Sequence, residues 1–429
     1  MTGGARRPVS GHAAVAQLVA HPTCNRAVRG SSPLGGSTMG SAGDVTAGRA
    51  AQKGCGVTDC DGCTGLDGVT VVQQDGTVSL DNVTVLAAPG ELLAVLGPSG
   101  SGKSTMLRAI AGLTRIRSGQ VLIAGRPTKA DTSQRNLAMV FERTQLMPLL
   151  DVARNMAFGL ESHHVPANQV QQRVEQQAKR LRVGKLLRRM PSQLSTGQQS
   201  QVGVGRAMVR TPSAFLLDEP LAHIDAHERA RMRRVIAETV RSSNASTLYV
   251  THDQSDALAI GDRVVVLDAG RVAQIATPRE LYDRPASLFV ADFVGSAAIG
   301  VLPAILVAAD GMAGFRVGFR TLPTWRPVPP ELANWVGREV TLGLRAEDVQ
   351  AADPSADPDR TRLTGVARSI ENTGRHTYVT VAVAGHPVVA RFGGRNALRP
   401  GDTVDITVDP ARAHVFDSVT GQALFHPEP

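Results

Sequence analysis

The sequence predicts an α/β domain followed by a separate, mostly β domain. Between residues 66 and 295, short apolar runs alternate with helical stretches, which is typical of a parallel sheet covered by helices on both faces. After Gly295 the pattern changes to short strand-like runs with Gly and Pro turns, which favours a small OB-like barrel. We therefore expect a head over residues 1–65, an α/β domain over 66–295 and an all-β domain over 296–429.

Individual elements follow from the spacing of apolar residues. In the α/β part, strands are predicted over 69–72, 78–85, 92–96, 214–217, 247–250 and 264–267. A helix is predicted over 103–113, and the Gln-, Arg-, Leu- and Ala-rich residues after 142 indicate an inserted helical subdomain over about 142–212. In the β part, strands are predicted over 339–344, 363–370, 377–384, 387–392 and 402–408.

The composition excludes several classes of protein. Of 429 residues, 42% are hydrophobic and 20% charged, which rules out disorder, collagen and coiled coil for most of the chain. The best apolar run, residues 301–309, contains Pro303 and is far shorter than the ~20 residues that a membrane-spanning helix needs. The net charge of +8 includes no basic run interleaved with aromatics, so we expect no nucleic-acid partner.

The head over residues 1–65 is rich in Gly, Ser, Ala and Thr and has no Phe, Tyr or Trp, so we expect it to be disordered. Residues 14–37, AVAQLVAHPTCNRAVRGSSPLGGS, resemble the peptide that results when a transfer-RNA gene is translated by mistake. In that case the start is misassigned and Met39 is the initiator. The alternative is a genuine disordered head.

The four cysteines all lie at or before residue 63. Cys55, Cys60 and Cys63 are spaced C-x4-C-x2-C, which resembles an iron–sulfur or zinc loop. A fourth ligand is missing because Cys24 lies far upstream, so we expect no metal site there, and the role of these cysteines stays open. The absence of Cys from residues 64–429 fits a reducing compartment.

A glycine-rich loop stands between the strand predicted over 92–96 and the helix predicted from residue 103. It matches G-x4-G-K-[ST], and we call it the phosphate loop: Gly97, Pro98, Ser99, Gly100, Ser101, Gly102, Lys103, Ser104 and Thr105. The glycines let backbone N–H groups close around phosphate oxygens, and the helix N-terminus adds a favourable dipole. Lys103 supplies a mobile cation, and Ser104 offers an oxygen to Mg²⁺.

Two carboxylates end the apolar strand predicted over 214–217. We expect Asp218 to hold the metal or its water, and Glu219 to polarise the water that attacks a γ-phosphate. Alone, such a pair is as often two solvated acids at the end of a strand. Its position after the phosphate loop, with His252 at the end of the next predicted strand, favours the catalytic interpretation.

A further motif opens a helix upstream of Asp218, and we call it the signature segment: Leu194, Ser195, Thr196, Gly197 and Gln198. Together with the phosphate loop, FLLDEP, AHID and YVTHD, it resembles the nucleotide-binding subunit of ATP-binding cassette (ABC) transporters. All five motifs stand in the order and spacing of that family. The resemblance implies a P-loop NTPase fold that binds ATP and Mg²⁺.

The same resemblance implies roles for individual residues. Catalysis would involve Glu219, His252 and Lys103. The phosphate loop, Glu142, Asp218 and Asp225 would bind ATP, and the signature segment would contact the ATP of a partner copy. The implied Mg²⁺ ligands are Ser104, Glu142 and Asp218.

The C-terminal part extends the resemblance to the carbohydrate-importer branch, which serves maltose, trehalose and glycerol-phosphate uptake. The stretches that carry it are GDRVVVLDAGRVAQIATPRELYDRPASLFVADFVGS, LGLRAEDV and RPGDTVDITVDPARAHVFDSVTGQAL. The resemblance implies a regulatory β domain and a head-to-tail homodimer. It also implies separate transmembrane permease subunits, an extracytoplasmic substrate-binding protein as an indirect partner, and a peripheral location on the cytoplasmic face of the membrane.

Several positions depart from the family pattern. Gln73 or Gln74 stands where the family usually stacks adenine on an aromatic ring. Glu142 replaces a Gln that is both a metal ligand and the residue sensed by the membrane subunit, and Thr196 replaces the first Gly of LSGGQ. Before Asp225, the usual Asn and Leu are replaced by His223 and Ile224. We expect a working but slow ATPase, because the residues assigned to the chemistry are all present.

Three alternatives stay open. The first is a nucleotide-binding regulatory or degenerate protein with little turnover, for which Glu142 and Thr196 argue. The second is a cassette ATPase that does not transport, although such proteins usually carry two cassettes or a long coiled coil. The third is an importer motor for an osmolyte or polyamine. The cargo is not predicted, because specificity lies in the membrane subunits and the binding protein.

Overall fold

The structure is a computed structural model that describes residues 61–128, 132, 135–162, 165–295, 297–352, 361–374, 376–394 and 397–428. The predicted head up to residue 60, with Met39, Cys24, Cys55 and Cys60, lies outside the described residues. Cys63 is buried immediately before the first strand. That strand begins at Thr64, so the last two residues assigned to the head belong to a sheet. Their Thr-Gly composition resembles a loop, but Thr64 is fully buried.

Ten strands of the described residues precede residue 277: β1 (Thr64–Val72), β2 (Val78–Ala87), β3 (Leu92–Leu96), β4 (Ser118–Ile123), β5 (Arg126–Pro127), β6 (Leu137–Val140), β7 (Ala214–Asp218), β8 (Ser246–Val250), β9 (Arg263–Asp268) and β10 (Arg271–Ala276). The strands predicted in this part are all confirmed. Four strands were not predicted: β5, β6 and β10, which lie at sheet edges, and β4, whose first three residues are Ser-Gly-Gln.

These strands form two sheets. An antiparallel sheet has the order β2-β1-β4-β5, and a six-stranded sheet has the order β10-β9-β3-β8-β7-β6. In the second sheet, β9, β3, β8, β7 and β6 are parallel, and β10 pairs antiparallel with β9. Strands β3, β7 and β8 are buried along their whole length, and β6 and β9 are buried in part, as expected where both faces of a sheet are covered.

Eight α-helices occur among the described residues: α1 (Lys103–Ala111), α2 (Val152–Glu161), α3 (Ala167–Arg180), α4 (Thr196–Met208), α5 (Ala226–Ser243), α6 (Gln254–Ile260), α7 (Pro278–Asp283) and α8 (Leu288–Phe293). Helix α1 shares one hydrophobic core with both sheets, through Met106, Leu107 and Ile110. Helices α2, α3 and α4 lie between β6 and β7 in the chain, where the helical subdomain is expected.

The remaining strands belong to the C-terminal part: β11 (Gly300–Ala309), β12 (Met312–Val317), β13 (Arg320–Pro327), β14 (Glu339–Leu344), β15 (Val349–Ala351), β16 (Arg362–Asn372), β17 (His376–Val383), β18 (His386–Gly393), β19 (Thr403–Val408), β20 (His414–Asp417) and β21 (Ala423–Phe425). The expected barrel is confirmed as a closed sheet in the order β15-β18-β17-β16-β19. A second sheet, β13-β12-β11-β14-β20-β21, was not expected.

The apolar run over residues 301–309 is strand β11 of this second sheet. Pro303, which cannot donate a ladder hydrogen bond, pairs with Thr341 of β14 in a stretch that β12 does not reach. Proline is tolerated there because that side of the strand has no neighbour. No helix within the described ranges is long and apolar enough to cross a membrane.

Arg345 joins the C-terminal part to the α/β part. Its side chain follows β14 and is almost fully buried. Its Nη1 donates to the carbonyl oxygens of Ala291 at 2.8 Å and Val294 at 2.6 Å, at the end of α8. Its Nη2 donates to the carbonyl of Tyr282, and the guanidinium lies over the Tyr282 ring. Burial lowers the pKa of Arg345 to about 10. The guanidinium therefore stabilises otherwise unpaired carbonyls at a helix end.

Candidate active site

Four loops meet at one edge of the six-stranded sheet. Strands β3, β8, β7 and β6 run parallel, so their carboxyl ends lie at the same edge. The phosphate loop follows β3, Glu219 follows β7, His252 follows β8 and Glu142 follows β6. In open parallel sheets, this edge is where ligands bind. The fold thus brings together residues that lie far apart in the sequence.

The phosphate loop has a backbone that only glycine accommodates. Gly102 has φ +100°, and a Cβ there would lie 2.5 Å from the carbonyl oxygen of Ser79. At Gly97, with φ +155°, a Cβ would lie 2.3 Å from the carbonyl oxygen of Leu267. Both glycines are therefore required by close packing against neighbouring backbone. The loop backbone therefore packs directly against β2 and β9.

Lys103 closes back over this loop. Its Nζ donates to the carbonyl oxygens of Gly97 and Pro98, each at 2.8 Å, and the residue is buried. Burial lowers its pKa, and the nearby charges of Glu219 and Asp218 oppose that shift. Within the loop, the Ser101 hydroxyl is buried without a hydrogen-bond partner. An ammonium on two neutral carbonyls and an unsatisfied hydroxyl fit a cradle for an anion.

Asp218 lies beside the first turn of α1. The Ser104 hydroxyl donates to its Oδ1 at 3.0 Å. Burial raises the pKa of Asp218; the Ser104 hydrogen bond and Arg108 oppose the shift, and the charge of Glu142 adds to it. Arg108, an exposed residue of α1, was not singled out from the sequence. Ser104, Asp218 and Glu142 thus present oxygen atoms of the kind that Mg²⁺ prefers.

Glu219 adopts a strained backbone conformation next to His252. Its φ is +49°, and its N–H donates to the Val250 carbonyl at 3.0 Å. The Nδ1 of His252 lies 2.8 Å from Oε2 of Glu219. Burial raises the pKa of Glu219, and the hydrogen bond and charge of His252 oppose this shift. A left-handed conformation for a non-glycine residue is typical of functional sites, where the surrounding structure enforces it.

The loop that begins at Glu142 is exposed and is fixed at its far end by one buried residue. The Asn155 side chain accepts from the Met147 N–H at 2.7 Å and donates to the carbonyls of Met147, Leu150 and Asp151. Glu142 itself is exposed. Its carboxylate can therefore change partners without unfolding the helical part.

The signature segment lies at the N-terminus of α4 and is satisfied locally. Ser195 is the N-cap: its Oγ accepts from the Gln198 N–H at 3.3 Å, and Gln198 Oε1 accepts from the Ser195 N–H at 3.1 Å. This reciprocal pair is a capping box. Ser195 and Thr196 are exposed. The sequence order alone did not reveal that Gln198 is engaged in a cap.

The Asp225 loop, residues 222–225, lies against the signature segment. Asp225 caps α5, because its Oδ1 accepts from the Glu228 N–H at 3.0 Å. A Cβ on Gly197 would lie 3.0 Å from the carbonyl oxygen of His223. The two segments line a shared cavity of about 420 Å³, whose lining includes no residue of the phosphate loop. Within one copy, the structure therefore groups the predicted residues into two separate places.

Two ion pairs that were not predicted from the sequence connect α5 to the N-terminal part of α6 and its cap. Arg229 Nη1 lies 2.7 Å from Oδ2 of Asp253, the N-cap of α6, and Arg233 Nη1 lies 2.9 Å from Oδ1 of Asp256. Arg229 follows Asp225 by one turn of helix, and Asp253 follows His252 directly. The closeness of Arg229 to Asp225 and of Asp253 to His252 in the sequence was the signal for these contacts.

The predicted adenine side is polar. Gln73 and Gln74 lie in the exposed turn between β1 and β2. Gln73 Nε2 donates to the Ser79 hydroxyl at 2.8 Å, and its N–H donates to the Thr77 carbonyl. These contacts orient an amide where the family usually has an aromatic ring.

Comparisons with known proteins agree with this geometry. The ABC transporter family matches residues 80–222, and the TOBE domain matches residues 342–416. An sn-glycerol-3-phosphate import ATP-binding protein (UgpC) of Cereibacter sphaeroides is 41% identical over 340 residues, covering 79% of this chain and 93% of that protein. A trehalose/maltose import ATP-binding protein (MalK) of Thermococcus litoralis is 40% identical over 346 residues, covering 78% and 92%.

The relatives and the fold confirm the family predicted from the five motifs. The alignments cover about nine tenths of each relative at an identity near 40%. The chain belongs to the ABC transporter family, as a subunit that binds and hydrolyses ATP.

Proposed function

We propose that this chain powers a solute importer by hydrolysing ATP at a site shared between two copies. The observation that carries the proposal is the meeting of Lys103, Asp218 and Glu219 at the carboxyl edge of the sheet. Phosphoryl transfer needs mainly positioning and electrostatic stabilisation, which a preformed loop and fixed charges supply. The roles below are proposals for individual residues at that edge.

Each phosphate-binding group has a distinct role in this proposal. The backbone N–H groups of the phosphate loop and the N-terminus of α1 hold the phosphate oxygens. Lys103 exchanges its two carbonyl partners, Gly97 and Pro98, for the phosphates. Glu219 accepts the proton of the attacking water. His252 orients Glu219 at 2.8 Å and donates to the γ-phosphate when nucleotide is bound.

Mg²⁺ is the proposed metal, held by Ser104, Asp218 and Glu142. The fit rests on the donor set: a hydroxyl and a carboxylate 3.0 Å apart, with a second carboxylate whose charge reaches the first. Burial raises the pKa of Asp218, and the charges of Arg108 and Lys103 only partly oppose that shift. A divalent cation would supply further positive charge there and would neutralise the phosphates.

Two copies complete the site in this proposal, arranged head to tail. The exposed Ser195 and Thr196 at the N-terminus of α4 would contact the γ-phosphate bound to the phosphate loop of the other copy, with Asp225 beside them. Two observations support this arrangement. The N-terminus of α4 interacts favourably with negative charge such as that of a γ-phosphate. Within one copy, the cavity lined by the signature segment and the Asp225 loop includes no residue of the phosphate loop.

The proposed partners and cargo are based on the names of the relatives. Separate transmembrane permease subunits would receive the motion at the cytoplasmic face of the membrane, and an extracytoplasmic binding protein would deliver the solute. Because the relatives are named for sn-glycerol-3-phosphate and trehalose/maltose import, a sugar or sugar-related solute is the proposed cargo. An osmolyte or polyamine cargo is the alternative, and uptake assays with each solute class separate them.

A second candidate function, a nucleotide-responsive regulator with little turnover, is favoured by one observation. The negative charge of Glu142 acts on Asp218 where the family has a neutral Gln. The charge of Glu142 would repel the triphosphate as well as the carboxylate of Asp218. Steady-state hydrolysis separates the two functions, since a regulator would bind ATP without multiple turnovers.

The test uses the full chain and a matched pair of lysine variants. We expect Mg²⁺-dependent ATP hydrolysis by the parent, and loss of both nucleotide binding and hydrolysis in Lys103→Ala. Lys179→Ala, at an exposed position of α3, should keep the parent rate. Hydrolysis by Lys103→Ala at the rate of Lys179→Ala would contradict the proposed function.

A further inference from the structure

One side of α5 carries a pair of charged residues that the proposed mechanism does not use. Glu228 lies three residues after Asp225, and Arg231 lies one turn further along the same helix. The two form an ion pair in which both Nε and Nη2 of Arg231 donate to Oε2 of Glu228. The pair is partly buried, with 13% of the Arg231 side chain and 26% of the Glu228 side chain exposed.

Arg231 also reaches the helical subdomain. Its Nη1 donates to the Arg180 carbonyl at 2.9 Å, and its Nη2 donates to the Leu181 carbonyl at 3.0 Å. These are the last carbonyls of α3, which have no partner within their own helix. A guanidinium at this end also interacts favourably with the helix dipole. Arg231 therefore fixes the C-terminus of α3 to α5 through two directional contacts.

Glu228 connects the same pair to both segments of the proposed partner-facing surface. Its backbone N–H donates to Asp225 at 3.0 Å. Its Oε2 accepts from the Gln201 Nε2 of α4 at 3.5 Å, one turn after the signature segment. Glu228 and Arg231 line the same cavity of about 420 Å³ as Ser195, Gln198 and Asp225. One carboxylate thus lies where α4, α5 and the Asp225 loop meet.

We propose that Glu228 and Arg231 form a brace that positions the signature segment against the Asp225 loop, so that one copy presents a rigid surface to the ATP held by the other. The inference rests on the proposed head-to-tail dimer and names the residues that regulate its assembly. The brace lies outside the phosphate loop, and its recorded contacts are with Asp225, Gln201 and the carbonyls at the end of α3. It is a positioning device rather than part of the chemistry.

The opposite charges of Glu228 and Arg231 explain why the brace is an ion pair and not a single charged residue. An isolated Glu228 beside the signature segment would repel the triphosphate of the partner copy, and Arg231 neutralises it. The guanidinium, in turn, has its donors directed at one carboxylate and two carbonyls, which fixes its geometry. A pair that only stabilised the fold would affect the phosphate loop and the signature segment alike. A brace affects dimer assembly and leaves ATP binding by the monomer intact.

The experiment measures both quantities in a Glu219→Gln background, which slows turnover. We compare Glu228→Gln, Arg231→Gln and the double variant, with Arg231→Lys as the conservative change. The matched control is Arg279→Gln, which breaks an exposed ion pair with Asp283 on α7. Dimerisation is followed by sedimentation with ATP and Mg²⁺, and monomer binding by fluorescence of a labelled ATP analogue at low protein concentration.

We expect each single brace variant to raise the dimer dissociation constant about tenfold while monomer ATP affinity stays within twofold of the parent. The double variant should be no worse than the worse single variant, because the two residues act as a unit. Arg231→Lys should give an intermediate value. Arg279→Gln should match the parent.

Three results would overturn the inference. The first is an unchanged dimer dissociation constant in both single variants. The second is an equal loss of monomer ATP binding, which would indicate general destabilisation. The third is additive effects in the double variant. If Glu219→Gln alone bound ATP but never dimerised, the shared-site proposal itself would fail, and this inference with it.

Discussion

The phosphate loop and the signature segment are built on opposite principles. The phosphate loop rests on backbone packing: Gly97 and Gly102 contact the main chain of neighbouring strands, and Lys103 and Asp218 are buried. The signature segment exposes Ser195 and Thr196 and is held by a capping box at the start of α4. One half of the proposed site is fixed by the core of the domain, whereas the other is a surface feature.

This difference would explain why the proposed mechanism needs two copies. The phosphate loop would hold nucleotide within one copy, because its backbone is already fixed by packing against neighbouring strands. The signature segment offers a helix N-terminus and hydroxyls to something outside its own copy. In the proposed mechanism, nucleotide binding needs only the buried half, whereas turnover needs both halves, so substitutions in the signature segment should lower turnover and leave binding by one copy intact.

The largest expected effect is on turnover in the buried half. Glu219→Gln should lower kcat about 100-fold or more, the range for loss of a general base, while ATP binding is kept. Glu238→Gln, an exposed position of α5, is the matched control and should keep the parent rate. Steady-state hydrolysis together with equilibrium ATP binding measures both quantities. A kcat within threefold of the parent would remove Glu219 from the mechanism.

The same variant has a stability signature with a definite sign. Burial raises the folded pKa of Glu219, so its stabilising contribution is largest at low pH and is lost as pH rises through that pKa. Glu219→Gln should therefore raise the Tm at pH 8, with a gain that shrinks as pH falls toward 5. Thermal unfolding across this range checks it. A lower Tm at pH 8 would mean that the His252 contact outweighs the cost of burial.

The next effect concerns glycine in each half. Gly102→Ala adds a Cβ at φ +100° and 2.5 Å from a backbone oxygen, so we expect a loss of about 2–4 kcal/mol in unfolding free energy. Gly197 lies in the first turn of α4, and a Cβ there would be 3.0 Å from the His223 carbonyl oxygen. Gly197→Ala should therefore change the unfolding free energy by less than about 1 kcal/mol. Urea unfolding of both variants tests the comparison. Equal losses would show that the two halves are equally fixed.

The smallest expected effect lies at Glu142. Its charge raises the pKa of Asp218 and repels the triphosphate, so Glu142→Gln should raise kcat a few-fold at neutral pH. About 1 kcal/mol of relieved repulsion corresponds to about fivefold in rate. Steady-state hydrolysis by the variant and the parent measures this difference. A variant that is slower than the parent would identify Glu142 as an adapted ligand of the site.

The buried half was the more predictable from sequence. The strands β3, β7 and β8 are continuous apolar runs, and the residues after them follow from parallel topology, so the meeting of Lys103, Asp218 and Glu219 was foreseen. Strands β5 and β6 were missed because they are short and lie at sheet edges, and β4 because it begins with Ser-Gly-Gln and carries little periodic signal. Loop conformation was also out of reach: the left-handed backbone of Glu219 depends on its hydrogen bond to Val250, a contact made only in the folded sheet.

The signature half was predictable as a motif but not as a structure. The sequence identified Ser195 and Gln198 without showing that they cap each other. The brace gave no signal, because a Glu and an Arg three residues apart on a polar helix face are usually solvated. Only the folded chain brings the α3 carbonyls and Gln201 within reach of them.

In the proposed mechanism, the signature segment acts on the ATP of another copy. Ser195→Asp tests this directly, because Asp keeps the N-cap acceptor of α4 while adding a negative charge toward the partner. The control is Ser192→Asp, an exposed position three residues upstream. In the Glu219→Gln background, sedimentation with ATP and Mg²⁺ should show a dimer for the control and a monomer for Ser195→Asp, each binding one ATP per chain. A dimer of undiminished stability in Ser195→Asp, or loss of ATP binding by its monomer, would contradict the divided site.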